Sequence, residues 1–179
     1  LHGHVEPESL TVTDQAGQPR AVARGGLPLF AGYLANLRRH MPTVLLDGGD
    51  LFQGTLVSNL GEGQVVIDLY NQLGYTAAAI GNHEFDYGPV GPRAVPRSGS
   101  DDDPTGALKA RIAAARFPFL SANVLDERSG QPVSWPNAYP SRLVEIPVGA
   151  GRPPLRLGIV GGTAEDTPRT TNPLNLRGL

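Results

Sequence analysis

Leu29, Tyr33 and Leu37 recur at four-residue intervals, with Phe30, Leu34 and Met41 on the adjoining stripe, while Asn36, Arg38, Arg39 and His40 lie largely off it. That spacing predicts an amphipathic helix of about three turns beginning at Gly25-Gly26. Pro42, lacking an N–H, ends it. The continuous apolar run Thr43-Val44-Leu45-Leu46 then reads as a strand buried on both faces, and polar residues begin where it stops. Val65, Ile67, Leu69 and Tyr70 predict a second helix over 64–73, closed by Gly74, and the run from Thr76 to Ile80 predicts a second buried strand. Helix, strand and polar strand end therefore alternate twice. This is the βαβ logic of an α/β (α+β) fold with a mostly parallel sheet, and it places both polar ends at one edge.

Elsewhere the pattern is weaker. Thr11-Val12-Thr13 suggests a short strand followed by a turn from Asp14 to Pro19. The Pro- and Gly-rich stretch 88–105, with Asp101-Asp102-Asp103, reads as a surface insertion whose acids are solvated. Ala107 to Arg116 predicts a helix with Lys109, Arg111 and Arg116 outward. Phe117 to Val124 is an extended piece carrying the polar Asn123, and Trp135 to Pro140 reads as a loop. Strands are expected at Arg142–Ile146 and Leu155–Val160, the latter followed by Gly161-Gly162-Thr163.

Composition narrows the chemistry. With 179 residues and 40% hydrophobic content, the chain has the length of one domain with a real core. Its net charge of -2, from 15 basic and 17 acidic residues without a basic cluster, gives no support to nucleic acid held through its phosphates. The chain has no cysteine, which excludes disulfides and thiolate metal sites, so any metal has to sit on His, Asp, Asn or carbonyl oxygen. No apolar run approaches the ~18 residues of a membrane-spanning helix. The opening Leu1-His2-Gly3-His4, without an initiator Met or a leader pattern, reads as a cut boundary.

Three polar clusters carry candidate chemistry. Gly81-Asn82-His83-Glu84-Phe85-Asp86 leaves the second strand with an amide oxygen, an imidazole and two acids within five residues. Asp47 and Asp50 flank Gly48-Gly49 at the end of the first strand, where ligands bind in open α/β sheets. His2 and His4 open the chain, and taken alone they read as surface histidines.

In order and spacing, Leu1-His2-Gly3-His4, Gly49-Asp50 with Phe52-Gln53-Gly54-Thr55, and Gly81 to Gly88 resemble the first three blocks of the calcineurin-like metallophosphoesterase superfamily. Phe119 to Val124, Gly158 to Thr163 and Thr167-Pro168 look like later stretches of its 5'-nucleotidase branch, so the resemblance covers nearly the whole chain. It implies an αββα sandwich of two mixed sheets flanked by helices, of which residues 1–179 form the N-terminal part. It further implies two divalent metal ions, with zinc, manganese, iron and cobalt all compatible with such ligands. His2 would bind the first metal, Asp50 would bridge both, and Asn82 would bind the second. His83 would protonate the leaving group or stabilise charge on the transferring phosphoryl, oriented by Asp86, and Glu84 would be structural. The implied reaction is two-metal hydrolysis of a nucleotide phosphomonoester to nucleoside and phosphate. Alternatives are a superfamily hydrolase acting on cyclic nucleotides or UDP-sugars, or a non-catalytic binding or scaffolding remnant.

The departures set further expectations. In the family an Asp precedes the position of Leu1, and later His-bearing blocks follow, whereas the histidines here are His2, His4, His40 and His83. The chain is thus expected to hold about half of a metal centre and to be inactive alone, with a separate C-terminal substrate-binding domain in its parent. The resemblance also implies a periplasmic or extracellular location.

Overall fold

A computed structural model describes residues 1–149 and 151–179. They form two compact units, one of His4–Thr43 and one of Leu1–Gly3 with Val44–Leu179. In the smaller unit, β1 (Glu8–Thr13) pairs antiparallel with β2 (Pro19–Arg24), from Glu8 opposite Arg24 to Thr13 opposite Pro19. Asp14 closes the turn by accepting the N–H groups of Ala16 and Gln18, each at 2.9 Å. The sequence reading found part of β1 and the turn but not β2, whose small Ala21 and Ala23 between Arg20, Val22 and Arg24 give no apolar alternation.

Helix α1 (Gly26–His40) follows as expected, but its buried side is different. Leu27 and Leu34 are buried and Phe30, Ala31 and Leu37 half-buried, whereas Leu29 and Tyr33 are 50% and 63% exposed. Residues 27, 30, 31 and 34 share one face at helical spacing, and 29 and 33 lie on another. Both stripes are apolar in sequence, so periodicity alone does not choose between them. His40 lies at the exposed C-terminal end, its Nδ1 2.8 Å from the Asn36 carbonyl oxygen.

The larger unit is built on a four-stranded parallel sheet. Its strands, in spatial as in chain order, are β3 (Leu46–Asp47), β4 (Ala77–Ala79), β5 (Phe119–Leu120) and β6 (Ala138–Tyr139). Between β3 and β4 run α2 (Leu56–Asn59) and α3 (Gln64–Leu73), and α4 (Gly106–Ala114) lies between β4 and β5. Gly74 ends α3 in the left-handed conformation, φ 66°. An antiparallel hairpin of β7 (Ser141–Ile146) and β8 (Leu155–Val160) follows, then the short α5 (Thr167–Thr170) and a 3₁₀ turn over Pro173–Leu176. The core gathers Val66, Ile67 and Tyr70 of α3 with Leu108 and Ile112 of α4, and includes Leu51, Phe52, Ile80, Phe85, Phe117 and Phe119. Tyr70 and Tyr75 stack at 3.6 Å between ring centroids, with Phe117 tilted against both.

Three expectations are corrected here. The run Thr43–Leu46 is not a strand buried on both faces. β3 lies at one edge of the described sheet, and Leu46 is 46% exposed. The expected loop Trp135–Pro140 contains β6, positioned by Asn137, whose Nδ2 reaches the carbonyl oxygens of Ile112, Ala115 and Phe117 at 2.9–3.0 Å. Arg111 does not point wholly outward, because its guanidinium donates to the Gly61 carbonyl at 3.1 Å. The stretch 88–105 carries no helix or strand. At the surface, two of its three acids form ion pairs, Asp102 with Arg97 and Asp103 with Lys109.

Candidate active site

Because β3 and β4 are parallel, their carboxyl ends emerge at one edge, and the loops 47–52 and 81–86 meet there. The approach is possible because both contact positions are glycine. A Cβ on Gly49 (φ 100°) would lie 2.7 Å from the Gly81 nitrogen, and one on Gly81 would lie 2.6 Å from the Asp50 nitrogen. Of the two acids after β3, Asp47 is engaged away from the edge. Its Oδ1 accepts the Gly49 N–H at 2.9 Å, and its Oδ2 accepts the Tyr70 hydroxyl at 2.6 Å.

Glu84 binds the two loops together. It is fully buried, with Oε2 accepting the N–H groups of Asp50 and Gly81 at 2.7 Å and Oε1 that of Leu51 at 2.6 Å. Burial pushes its carboxyl up to about 7, against the opposing pull of those N–H groups. The side chain is therefore occupied by backbone and does not face the site, in keeping with its expected structural role.

Asp50 and His2 face each other. His2 Nε2 and Asp50 Oδ2 are 4.0 Å apart, beyond hydrogen-bond range, and both side chains are partly exposed. Their backbones are registered by the His2 N–H to the Asp50 carbonyl and the Gly3 N–H to the Leu51 carbonyl, each at 2.9 Å. The Thr55 hydroxyl donates to the Gly3 carbonyl at 2.5 Å. Both residues hold left-handed backbones, φ 50° at His2 and 56° at Asp50, a strain that non-glycine residues keep mainly where surrounding structure enforces it. His4 belongs to the smaller unit and is exposed.

After β4, Asn82 is half-buried and leads into a 3₁₀ turn over His83–Phe85. The His83 N–H donates to Asp50 Oδ1 at 3.2 Å, and the His83 and His2 rings meet edge to face at 5.3 Å. His83 Nδ1 lies 2.6 Å from Asp86 Oδ2. The carboxylate is an acceptor, so it assigns the proton to Nδ1 and leaves Nε2 for the site. Burial lowers the affinity of this imidazole for a second proton. The hydrogen bond and charge of Asp86, with Asp50 and Glu84 behind it, outweigh burial and hold the pKa above the ordinary histidine value.

The donor set fits a cation in part. Ligand bonds from His nitrogen or carboxylate oxygen are about 2.1 Å long, and the 4.0 Å between His2 Nε2 and Asp50 Oδ2 is within twice that length. Among the described residues no group of three or more His, Asp or Glu converges on one point.

Three features were not found from sequence. Thr171, 85 residues from Asp86, donates to its Oδ1 at 3.0 Å. The buried Asn175 donates to the Phe85 carbonyl at 2.8 Å. Beyond β5, Asn123 and Thr163 bond reciprocally, amide to carbonyl at 2.7 Å and N–H to amide oxygen at 2.8 Å, while the Thr163 hydroxyl donates to the Ile80 carbonyl at 2.7 Å. Each pairs residues at least 40 positions apart. Nothing in the local pattern at Thr171 or Asn175 marks them out.

No family model matches the chain. Among curated proteins it is 33% identical over 174 residues to snake venom 5'-nucleotidase of Gloydius brevicauda, covering 97% of this chain and 26% of that protein. It is 32% identical to the 5'-nucleotidase of Bos taurus with the same coverage of each. The crystal structure of a 5'-nucleotidase precursor from Thermus thermophilus matches 97% of this chain and 29% of its own, with a TM-score of 0.67 and 32% identity. The chain thus spans about a quarter of the length of the curated relatives it matches. A parallel sheet with His, Asp and Asn gathered at its carboxyl edge, superposing on such a structure, has the α+β architecture of the metallophosphoesterases. The chain belongs to the 5'-nucleotidase branch of that superfamily.

Proposed function

We propose that the protein represented by this chain hydrolyses nucleotide phosphomonoesters to nucleoside and phosphate, and that residues 1–179 are the N-terminal part of its catalytic domain, with an insertion at about 88–105. The observation that carries the reading is the His83–Asp86 pair at 2.6 Å beside the His2–Asp50 pair at 4.0 Å, both at the carboxyl edge of β3 and β4. The 5'-nucleotidase relatives supply the substrate class. Their greater length supports a further substrate-binding domain in the parent protein. The venom proteins among them support export, to the periplasm or outside the cell.

His2 and Asp50 would hold one divalent cation, with Asp50 and the Asn82 amide oxygen serving a second. The chemistry such cations supply is neutralisation of the phosphoryl oxygens and a nucleophile near neutral pH. Asp86 keeps the His83 ring in one tautomer and stabilises its protonated form. His83 Nε2 then gives a proton to the departing nucleoside oxygen, so the leaving group departs as a neutral hydroxyl. The two left-handed backbones and the Glu84 clamp keep Asp50 facing His2 before any ligand arrives, which avoids reorganisation during the reaction.

The test is phosphate release from adenosine monophosphate by the full-length protein, with and without added manganese or zinc. Metal-dependent release supports the reading. A folded protein releasing no phosphate with any divalent metal would refute it.

A further inference from the structure

The segment 167–176 is distant in sequence from the site, yet it bonds two consecutive residues of the His83 turn. Asn175, fully buried, donates from Nδ2 to the Phe85 carbonyl at 2.8 Å and to the Ala94 carbonyl at 2.9 Å. Four residues earlier, the Thr171 hydroxyl donates to Asp86 Oδ1 at 3.0 Å. Thr171 is itself anchored, its N–H bonding the Thr167 carbonyl at 3.1 Å at the end of α5. The carbonyl partner of Asn175 fixes the backbone at Phe85. It leaves the Asp86 carboxylate free to turn about its last side-chain bond, a torsion with a broad energy profile.

The geometry points to Thr171 as a positioning residue: its hydroxyl fixes the plane of the Asp86 carboxylate, so that the other oxygen stays in line with His83 Nδ1 and the imidazole is held in one orientation. Asp86 has two oxygens with separate tasks. Oδ1 takes the Thr171 hydroxyl at 3.0 Å and Oδ2 takes the imidazole at 2.6 Å. With both occupied, rotation breaks two hydrogen bonds together. With Thr171 removed, Oδ1 and Oδ2 become equivalent partners for Nδ1, and the ring can follow the carboxylate. A hydroxyl at 171 suffices for this, because the bond uses only Oγ1. This assignment rests on the proposed function for its effect on turnover, but not for its geometry.

The experiment compares the full-length protein with its Thr171→Val variant, which keeps shape and removes the hydroxyl, and with Thr171→Ser, which keeps the hydroxyl. The first readout is the proton resonance of the His83 Nδ1–H, assigned by its loss in His83→Gln. It is expected to broaden or shift in Thr171→Val and to keep its position in Thr171→Ser. The second is hydrolysis of adenosine monophosphate, where Thr171→Val is expected to lower kcat about 10- to 100-fold, the effect of one hydrogen bond to a charged group, with KM unchanged and Thr171→Ser near the parent value. An unchanged imidazole resonance in Thr171→Val, or equal loss in the Val and Ser variants, overturns the assignment. If the parent protein hydrolyses no nucleotide, the functional reading fails while the resonance still decides the role of Thr171.

Discussion

Glu84 and Asp50 hold each other's loops reciprocally: Glu84 Oε2 accepts the Asp50 N–H at 2.7 Å, and Asp50 Oδ1 accepts the N–H of His83, the residue before Glu84, at 3.2 Å. The two bonds join the carboxyl ends of β3 and β4 at the point where the candidate ligands emerge. Glu84 Oε1 and Oε2 also take the Leu51 and Gly81 N–H groups, so an amide at this position would set an NH₂ against backbone donors whichever way it turned. Glu84→Gln is expected to destabilise the fold by on the order of 2–4 kcal/mol, read from urea unfolding. An unchanged midpoint would mean that the loops do not depend on the carboxylate.

Asp50→Asn keeps the size of the side chain and removes its charge. The expected outcome is loss of bound divalent metal by elemental analysis, with little change in folding, because the His83 N–H can still bond the amide oxygen. A variant still carrying two equivalents of metal would refute Asp50 as the bridging ligand.

His83→Ala removes the proton donor and leaves the proposed ligands His2, Asp50 and Asn82 in place. Turnover of nucleoside monophosphate is expected to fall by about 10²–10⁴-fold, the usual worth of general acid catalysis, with metal content largely retained. Metal loss in this variant would show that the imidazole is a ligand.

Tyr70 connects the core to the site loop through its bond to Asp47 at 2.6 Å. Burial, and then the hydrogen bond and charge of Asp47, raise its hydroxyl pKa in the folded chain above the ordinary value of 10.0. Below pH 10 both folded and unfolded chains keep the proton, so the stabilising contribution is complete. As pH rises past about 10 only the unfolded chain releases it, and folding stability falls. Tyr70→Phe is expected to cost about 1–2 kcal/mol at neutral pH and to make the fall in melting temperature between pH 9 and 11 shallower. Tyr75 and Tyr87, also raised by burial, account for the remaining slope. An equally steep fall in the variant would contradict the assignment.

Much of the parallel sheet was legible because its signals are local. The helix over 64–73 with its closing Gly74, the strand leading into Gly81, and the polar ends at one edge all follow from apolar periodicity and turn chemistry. β2 and β6 were missed for a physical reason. Neither has an apolar alternation of its own, and each is set by partners elsewhere, β2 by pairing with β1 and β6 by β5 and the Asn137 side chain. The buried face of α1 was misjudged because two apolar stripes compete in its sequence, and burial chose Leu27 and Leu34 over Leu29 and Tyr33.

The candidate site divides in the same way. The polar cluster at 82, 83 and 86, and the helix and strand order that delivers it and Asp50 to one edge, were readable from the residues, because residue chemistry and hydrophobic period are properties of neighbours in sequence, whereas His2 was singled out only by the family resemblance. The residue pattern does not choose between the two acids after β3, and the family resemblance is what singles out Asp50; in the fold the two differ in the partners brought to them, Tyr70 for Asp47, Glu84 and His83 for Asp50. The supports at Thr171 and Asn175 were equally invisible, because a hydrogen bond spanning 85 or 90 residues leaves no periodic trace and exists only once the tertiary structure has closed the distance.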